Sequence, residues 1–321
     1  MNKSRYTCDI SAVNKDDVSL AGGKCASLGE MTNVGIAVPP GFVILANAFE
    51  YFLEETGLNV EMRAILDSAD HKKMHTIEDA SKKIHTLLCN VEIPSDLSLQ
   101  IYASFKKLGC QYVAVRSSAT AEDSATAAWA GQLETYLNST EKNLLEYVKK
   151  CWASLFTPRA IFYRFEKNLH TQKISVAVVV QKMIEGETSG VAFSVHPVTQ
   201  DKNQLIIEAS YGLGEAVVSG QITPDSYVVE KESKKIINKN VEKKTRGLYR
   251  TNSTAHATGN EWRDIPKNQG EKQALTDAQI LQLSDLILLI ERHYGFPVDI
   301  EWTYEKGKFY ILQSRPITTL S

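Results

Sequence analysis

The first half of the chain keeps mostly helical spacing of its apolar residues, and the second half mostly alternates. Residues 20 to 31, LAGGKCASLGEM, predict a glycine loop running into a short helix. IAVPPGFVI follows as a proline-broken strand entry, since paired prolines cannot sit in a central ladder. Helical patterns then cover 46 to 66, 77 to 90 and 96 to 108. Thr76, with Asp79 three residues on, and Ser95 after Pro94 serve as their caps. QYVAV predicts a strand with Arg116 at its mouth, after which a run of small residues replaces the apolar alternation. A helical pair spans 140 to 168, with Thr157 as cap and Pro158 at the first helical position of the second member.

KISVAVVVQKMI, residues 173 to 184, is almost continuously β-branched and predicts a strand buried on both faces. Beyond it, SGVAFSVHP, QLIIEAS, SYVVEKESKKIINKNVEKK and VDIEWTYEKGKFYILQSRP predict strands and hairpins. One helix interrupts them at 277 to 293, with a capping box at Thr276 and Gln279 and a stop at Gly295. Its apolar residues run nearly all round, so it is expected to be well buried. A helix-rich part, 1–183, and a strand-rich part, 184–321, joined near Gln181, describe an α+β protein of two lobes with a cleft between them.

Composition adds exclusions. The 321 residues are 43% hydrophobic and 23% charged, enough for a real core, and 36 basic against 38 acidic side chains leave a formal charge of -2. That balance excludes a general basic field for nucleic acid or an anionic membrane, so any anion site is local. Five scattered cysteines, Cys8, Cys25, Cys89, Cys110 and Cys151, contain no C-x-x-C pair and indicate neither a disulfide framework nor a zinc site. A reducing cytoplasm fits them, and no segment reads as a signal peptide or a membrane span.

Three motifs carry candidate chemistry. Lys24 follows two glycines at a predicted helix start, where backbone N–H groups and a cation suit a phosphate; Cys25 after the lysine and Val18 upstream exclude a Walker A loop. Arg116 has two readings, a clamp on Glu122 or Asp123, or a planar fork for phosphoryl oxygens with small neighbours offering N–H and hydroxyl donors. In DIEWTYEKGKFYILQSRP, alternation puts Asp299 and Glu301 on one face. A three-residue loop from Lys306 to Lys308 then sets Glu301 opposite Gln313 and Asp299 opposite Arg315, with Tyr310 and Leu312 on the apolar face. This patch suits a magnesium ion shared with phosphates, or a plain cross-strand ion pair between Asp299 and Arg315.

GGKCASLGEM, VAVRSSATAED…WAGQLETYLN, CWASLFTPRAIFYR, SGVAFSVHPVT, SYGLGEAVVSG and DIEW…YILQSRPIT occur together, in this order. In this they resemble the ATP-binding domain of the phosphoenolpyruvate synthase and pyruvate phosphate dikinase family, which rifampin phosphotransferase shares. The resemblance covers essentially the whole chain. It implies an ATP-grasp-like fold holding ATP and Mg2+ between its lobes. It places phosphate contacts at Lys24 and Arg116, nucleotide contacts at Gly131 and Thr135, and a hinge glutamine at Gln181. Glu301 becomes the magnesium carboxylate, Asp299 a further acidic position, and Gln313 and Arg315 the final amide and arginine.

The resemblance has departures. Ser124 and Ala125 stand where relatives commonly carry Leu-Pro, and Trp129 where phenylalanine is usual, which is expected to loosen the loop. None of the seven histidines lies in the glycine-rich T-x-x-G-G-x-x-S-H context of the family's phosphorylated carrier; His256 in STAHATG is a faint echo. The expectation is therefore the nucleotide half of an ATP-dependent phosphotransferase, incomplete without a swivelling phosphohistidine carrier domain supplied in cis or in trans. Its acceptor is pyruvate, rifampin or a related molecule. A non-catalytic ATP-sensing module is the alternative from another class.

Overall fold

Residues 6–120, 134–166, 175–251 and 259–318 are described in the computed structural model of the chain. They are helical and antiparallel-stranded, an α+β composition, and divide into two compact units. One comprises Met1–Glu30 with Pro40–Met183, the other Met31–Pro39 with Ile184–Ser321. No helix among the described residues is long and apolar enough to cross a membrane, and all five cysteines are free thiols.

The first unit contains β1 (Thr7–Asp9), α1 (Val18–Asn33, its last residues grouping with the second unit), β2 (Gly41–Ile44), α2 (Ala46–Glu55), α3 (Leu58–Asp67), α4 (Met74–Asn90), α5 (Ser95–Leu108), β3 (Val113–Ala119), β4 (Thr135–Ser139), α6 (Leu144–Ala153), α7 (Pro158–Glu166) and β5 (Val176–Lys182). Its sheet runs β1-β2-β5-β3-β4. β5 is central and buried from Val176 to Gln181, as its β-branched run predicts. Phe42, Ile44, Val113, Val115, Val178 and Val180 point into a core closed by α2, α4, α5 and α6, where Trp152 packs 5.4 Å from Phe49 and 5.1 Å from Phe52 between ring centroids.

The helix expected over 46–66 is two helices, because Gly57 takes a left-handed φ of 70° between α2 and α3. Thr76 does not cap α4, which begins at Met74; its hydroxyl donates back to the carbonyls of Lys73 and Asp70. Thr157 does cap α7, accepting from the Ala160 amide at 3.2 Å.

The second unit contains β6 (Thr188–Phe193), β7 (Gln204–Tyr211), α8 (Glu215–Val218), β8 (Asp225–Glu230), β9 (Lys235–Asn240), β10 (Arg246–Arg250), β11 (Asn260–Asp264), α9 (Lys267–Gly270), α10 (Asp277–Tyr294), β12 (Val298–Glu305) and β13 (Lys308–Pro316). Its main sheet runs β13-β12-β6-β7-β8-β9, with β10 and β11 as a separate ribbon. α10 has the predicted capping box and the Gly295 stop. It buries one face, Ile280, Leu283, Ile287 and Ile290, while Leu289 stays exposed, so it is less enclosed than its composition suggests. It packs on β7, β8, β9 and β12, whose buried residues include Ile207, Tyr227 and Ile300.

One buried ion pair braces this unit. Asp225 accepts from Lys244 Nζ at 2.5 Å and the Glu242 amide through Oδ1, and from the Tyr227 hydroxyl and the Ala274 amide through Oδ2. Lys244 and Asp225 are both essentially inaccessible to solvent. Removing one partner strands the other charge in low dielectric. Asp225→Ala is therefore expected to cost about 3–5 kcal/mol in a denaturant titration. Lys83→Ala, which breaks the exposed Lys83–Asp79 pair, is expected to cost less than about 1 kcal/mol.

Candidate functional site

In the first unit the candidates gather around the middle of β3. α1 is broken at Gly22 (φ 74°, ψ 160°), so its longer stretch starts afresh at Gly23 and Lys24. The break is sterically required. A Cβ on Gly22 would lie 2.2 Å from the Ser118 carbonyl oxygen, so only glycine lets the turn lie this close to β3. Lys24 Nζ donates to the Ser117 carbonyl at 2.8 Å, and the Cys25 amide to Ser118 Oγ at 3.2 Å. Burial pushes the Cys25 thiol far up from its ordinary value, which makes it unreactive.

Arg116 stands at the centre of a strand, not at its mouth. Pairing with β5 holds the small residues through Ala119 extended, and Arg116 lies opposite Val179 on one side and Thr135 on the other. Alternation turns Val113 and Val115 into the core, and Ala114, Arg116 and Ser118 to the other face. Gln181, buried and opposite Ala114, shares that face. Thr135, exposed, opens β4. Arg116, Thr135, Lys24 and Gln181 thus surround one short length of strand. The hydroxyls of Ser117 and Ser118, expected as ligand donors, are instead buried and bonded to protein: Ser117 Oγ donates to the Glu134 carbonyl at 3.0 Å, and Ser118 Oγ accepts from Cys25. Gly131, Trp129 and the Ser124–Ala125 departure lie outside the described residues.

In the second unit β12 and β13 pair Glu301 with Gln313 and Asp299 with Arg315, the expected partners. They reach this register by another route. The turn has two residues, Lys306 (φ 49°) and Gly307 (φ 82°), both left-handed, as a tight hairpin requires. A β-bulge between Glu301 and Trp302 then inserts Leu312 as the extra residue and restores the register. Beyond the bulge the faces exchange, so Ile311 and Phe309, not Leu312 and Tyr310, join Trp302 in the buried layer.

Arg315 Nε donates to Asp299 Oδ2 at 3.1 Å. Even so, the Asp299 carboxyl is held above its ordinary value, because burial outweighs the attraction of Arg315 and the neighbouring Glu301 charge adds to it. The same face holds a carboxylate that the motif reading did not single out. Glu301 lies opposite Val191 on β6, and Val191 opposite Glu208 on β7. Glu208 is half-buried, and burial raises its carboxyl too. Its signal in the sequence was slight: one glutamate in the apolar strand QLIIEAS, whose face only the strand pairing defines.

Among the described residues no three His, Cys, Asp or Glu side chains form a ready cage for a metal ion. The donor set Asp299, Glu301, Gln313 and Glu208 consists of hard oxygens on one face. That suits a small divalent cation which completes its shell with water and phosphate oxygens.

Residues 18–321 match the family described as pyruvate phosphate dikinase, AMP/ATP-binding domain. The chain is 46% identical over 324 residues to a probable phosphoenolpyruvate synthase of Methanocaldococcus jannaschii, covering 98% of the chain and 27% of that protein. It is 41% identical over 366 residues to the phosphoenolpyruvate synthase of Pyrococcus furiosus, at 98% and 44% coverage. A rifampicin phosphotransferase of Bacillus cereus is 39% identical over 320 residues, at 99% and 36% coverage. The chain spans less than half the length of each of these relatives.

The raised Asp299 carboxyl has a definite pH consequence. The folded state holds its proton more tightly than the unfolded state does, so this group's stabilising contribution is complete below pH 3.8 and is lost as pH rises through the folded value. Asp299→Asn is expected to remove that part of the decline. Denaturation midpoints measured from pH 3.5 upward, at steps of about half a unit, read the change in slope.

Proposed function

Since the chain belongs to the family of the pyruvate phosphate dikinase AMP/ATP-binding domain, we propose that it binds MgATP and passes a phosphoryl group to a histidine on a carrier domain. In this reading residues 1–183 and 184–321 are the two lobes of an ATP-grasp-like fold. Lys24, Arg116 and Arg315 take phosphate oxygens. Thr135, Gly131 and Gln181 contact the nucleotide, and Glu301 and Gln313 with Asp299 hold magnesium. Glu208 is a further carboxylate for that face.

The single observation that supports it most is the convergence of Lys24 and Arg116 on adjacent residues of one strand, from positions far apart in sequence. Two cations drawn to adjacent residues of one strand suit a phosphate chain, which carries negative charge enough for both. The buried position of Arg116 strengthens the effect, because a charge-assisted hydrogen bond out of bulk water is worth about 1.5–3 kcal/mol. When bound, magnesium supplies charge neutralisation on the phosphate oxygens. The protein side chains orient the phosphate chain, keep water from it and hold charge fixed where it develops during transfer.

The similarity to phosphoenolpyruvate synthases favours a chain that serves synthesis of phosphoenolpyruvate from pyruvate, with the carrier domain in cis or in trans. Transfer of label from ATP to an added carrier domain distinguishes this phosphotransferase from a module that only binds ATP. Lys24→Ala and Arg116→Ala are each expected to weaken MgATP binding or transfer by about tenfold to a thousandfold. Calorimetric titration with MgATP and the labelled-transfer rate measure this; wild-type values in both variants would sink the assignment.

A further inference from the structure

Ser117 and Ser118 are adjacent on β3, project to opposite faces, and are fully buried. Each ties a different segment to Arg116. The Ser117 amide and hydroxyl both donate to the Glu134 carbonyl, at 3.1 and 3.0 Å, which fixes the residue before Thr135. The Ser117 carbonyl accepts the Lys24 ammonium. Ser118 Oγ accepts the Cys25 amide from 93 positions away in sequence.

The Cys25 bond has the form of a helix cap. With the break at Gly22, Gly23, Lys24 and Cys25 are the first three residues of the longer stretch of α1, the positions at whose amides a helix ordinarily draws on acceptors outside itself. A helix usually satisfies the third of these amides with a side-chain oxygen at its own cap position. Here the cap position is Gly22, which has no side chain and cannot gain one, because its missing Cβ would collide with Ser118. The close approach that forbids a local cap brings Ser118 Oγ within reach of the amide.

We propose that Ser118 is a positioning residue for phosphate binding, a cap supplied in trans that fixes the turn bearing Lys24 beside the strand bearing Arg116. The proposal rests on the reading of Lys24 and Arg116 as phosphate-binding cations. Arg116 is held by the ladder on both sides of β3 and does not need the serine. Lys24 sits on a first helical turn that frays without it. Loss of the hydroxyl therefore acts on the phosphate end of a nucleotide and leaves the base and sugar alone.

Two measurements on Ser118→Ala test this. Hydrogen exchange of the nucleotide-free chain is expected to show the Cys25 amide exchanging about tenfold faster, with the β3 amides unchanged. Titration is expected to show MgATP binding about tenfold weaker and adenosine binding within about twofold of wild type. Unchanged exchange at Cys25 overturns the cap, and an equal loss of MgATP and adenosine overturns the positioning role in favour of general loosening. If wild type binds no MgATP, the functional reading fails, while the exchange measurement still decides whether Ser118 caps the turn. Should the alanine variant unfold, Ser118→Cys keeps the volume and replaces the oxygen with a weak acceptor, and the same two readouts apply.

Discussion

Hydrogen bonding along β5 is the constraint from which the first unit follows. A strand buried from Val176 to Gln181 has no water for its amides and carbonyls, so both of its edges must be paired. β2 pairs with one edge and β3 with the other. Once β3 is locked there, the alternation of its side chains leaves no choice: if Val113 and Val115 enter the core, Arg116 and Ser118 face away from it. The charged centre of the candidate site is thus a by-product of register, fixed by apolar residues that touch nothing chemical.

The second unit applies the same logic to a hairpin. α10 covers one face of the sheet, and the acidic and amide side chains take the other. Asp299, Glu301, Gln313 and Glu208 come from three strands and meet only because β6 lies between β12 and β7. Burial then raises two of these carboxyls. In a structural ion pair that would be a liability. In the magnesium site proposed above it would make ionisation and binding parts of one step.

Much of this was legible in the sequence, and the exceptions are instructive. The continuous Val run gave β5, the capping box gave α10, and the alternation around Lys306 gave the Asp299–Arg315 and Glu301–Gln313 pairs. The strand through Ser117 and Ser118 was hidden, because small polar residues carry no alternation and are held extended only by a neighbour far away in sequence. The break between α2 and α3 rested on one glycine within an amphipathic pattern that looks unbroken. Glu208 was hidden because a lone glutamate in a strand declares its face only once its partners are known. Contacts between distant segments account for β3 and Glu208, while the Thr76 cap, the break at Gly57 and the two-residue turn at Lys306 and Gly307 are local features that the pattern of side chains alone did not fix.

The bulge at Leu312 separates two jobs that one hairpin would otherwise have to share. The tip obeys the geometry of a two-residue turn and the base obeys the spacing of the acidic pair, and these demands differ by one residue. With the offset absorbed between them, the tip resembles a handle joined to the site through a slip coupling. A two-residue turn and the acid–amide pairing, which alone would call for different registers, thereby coexist on one pair of strands.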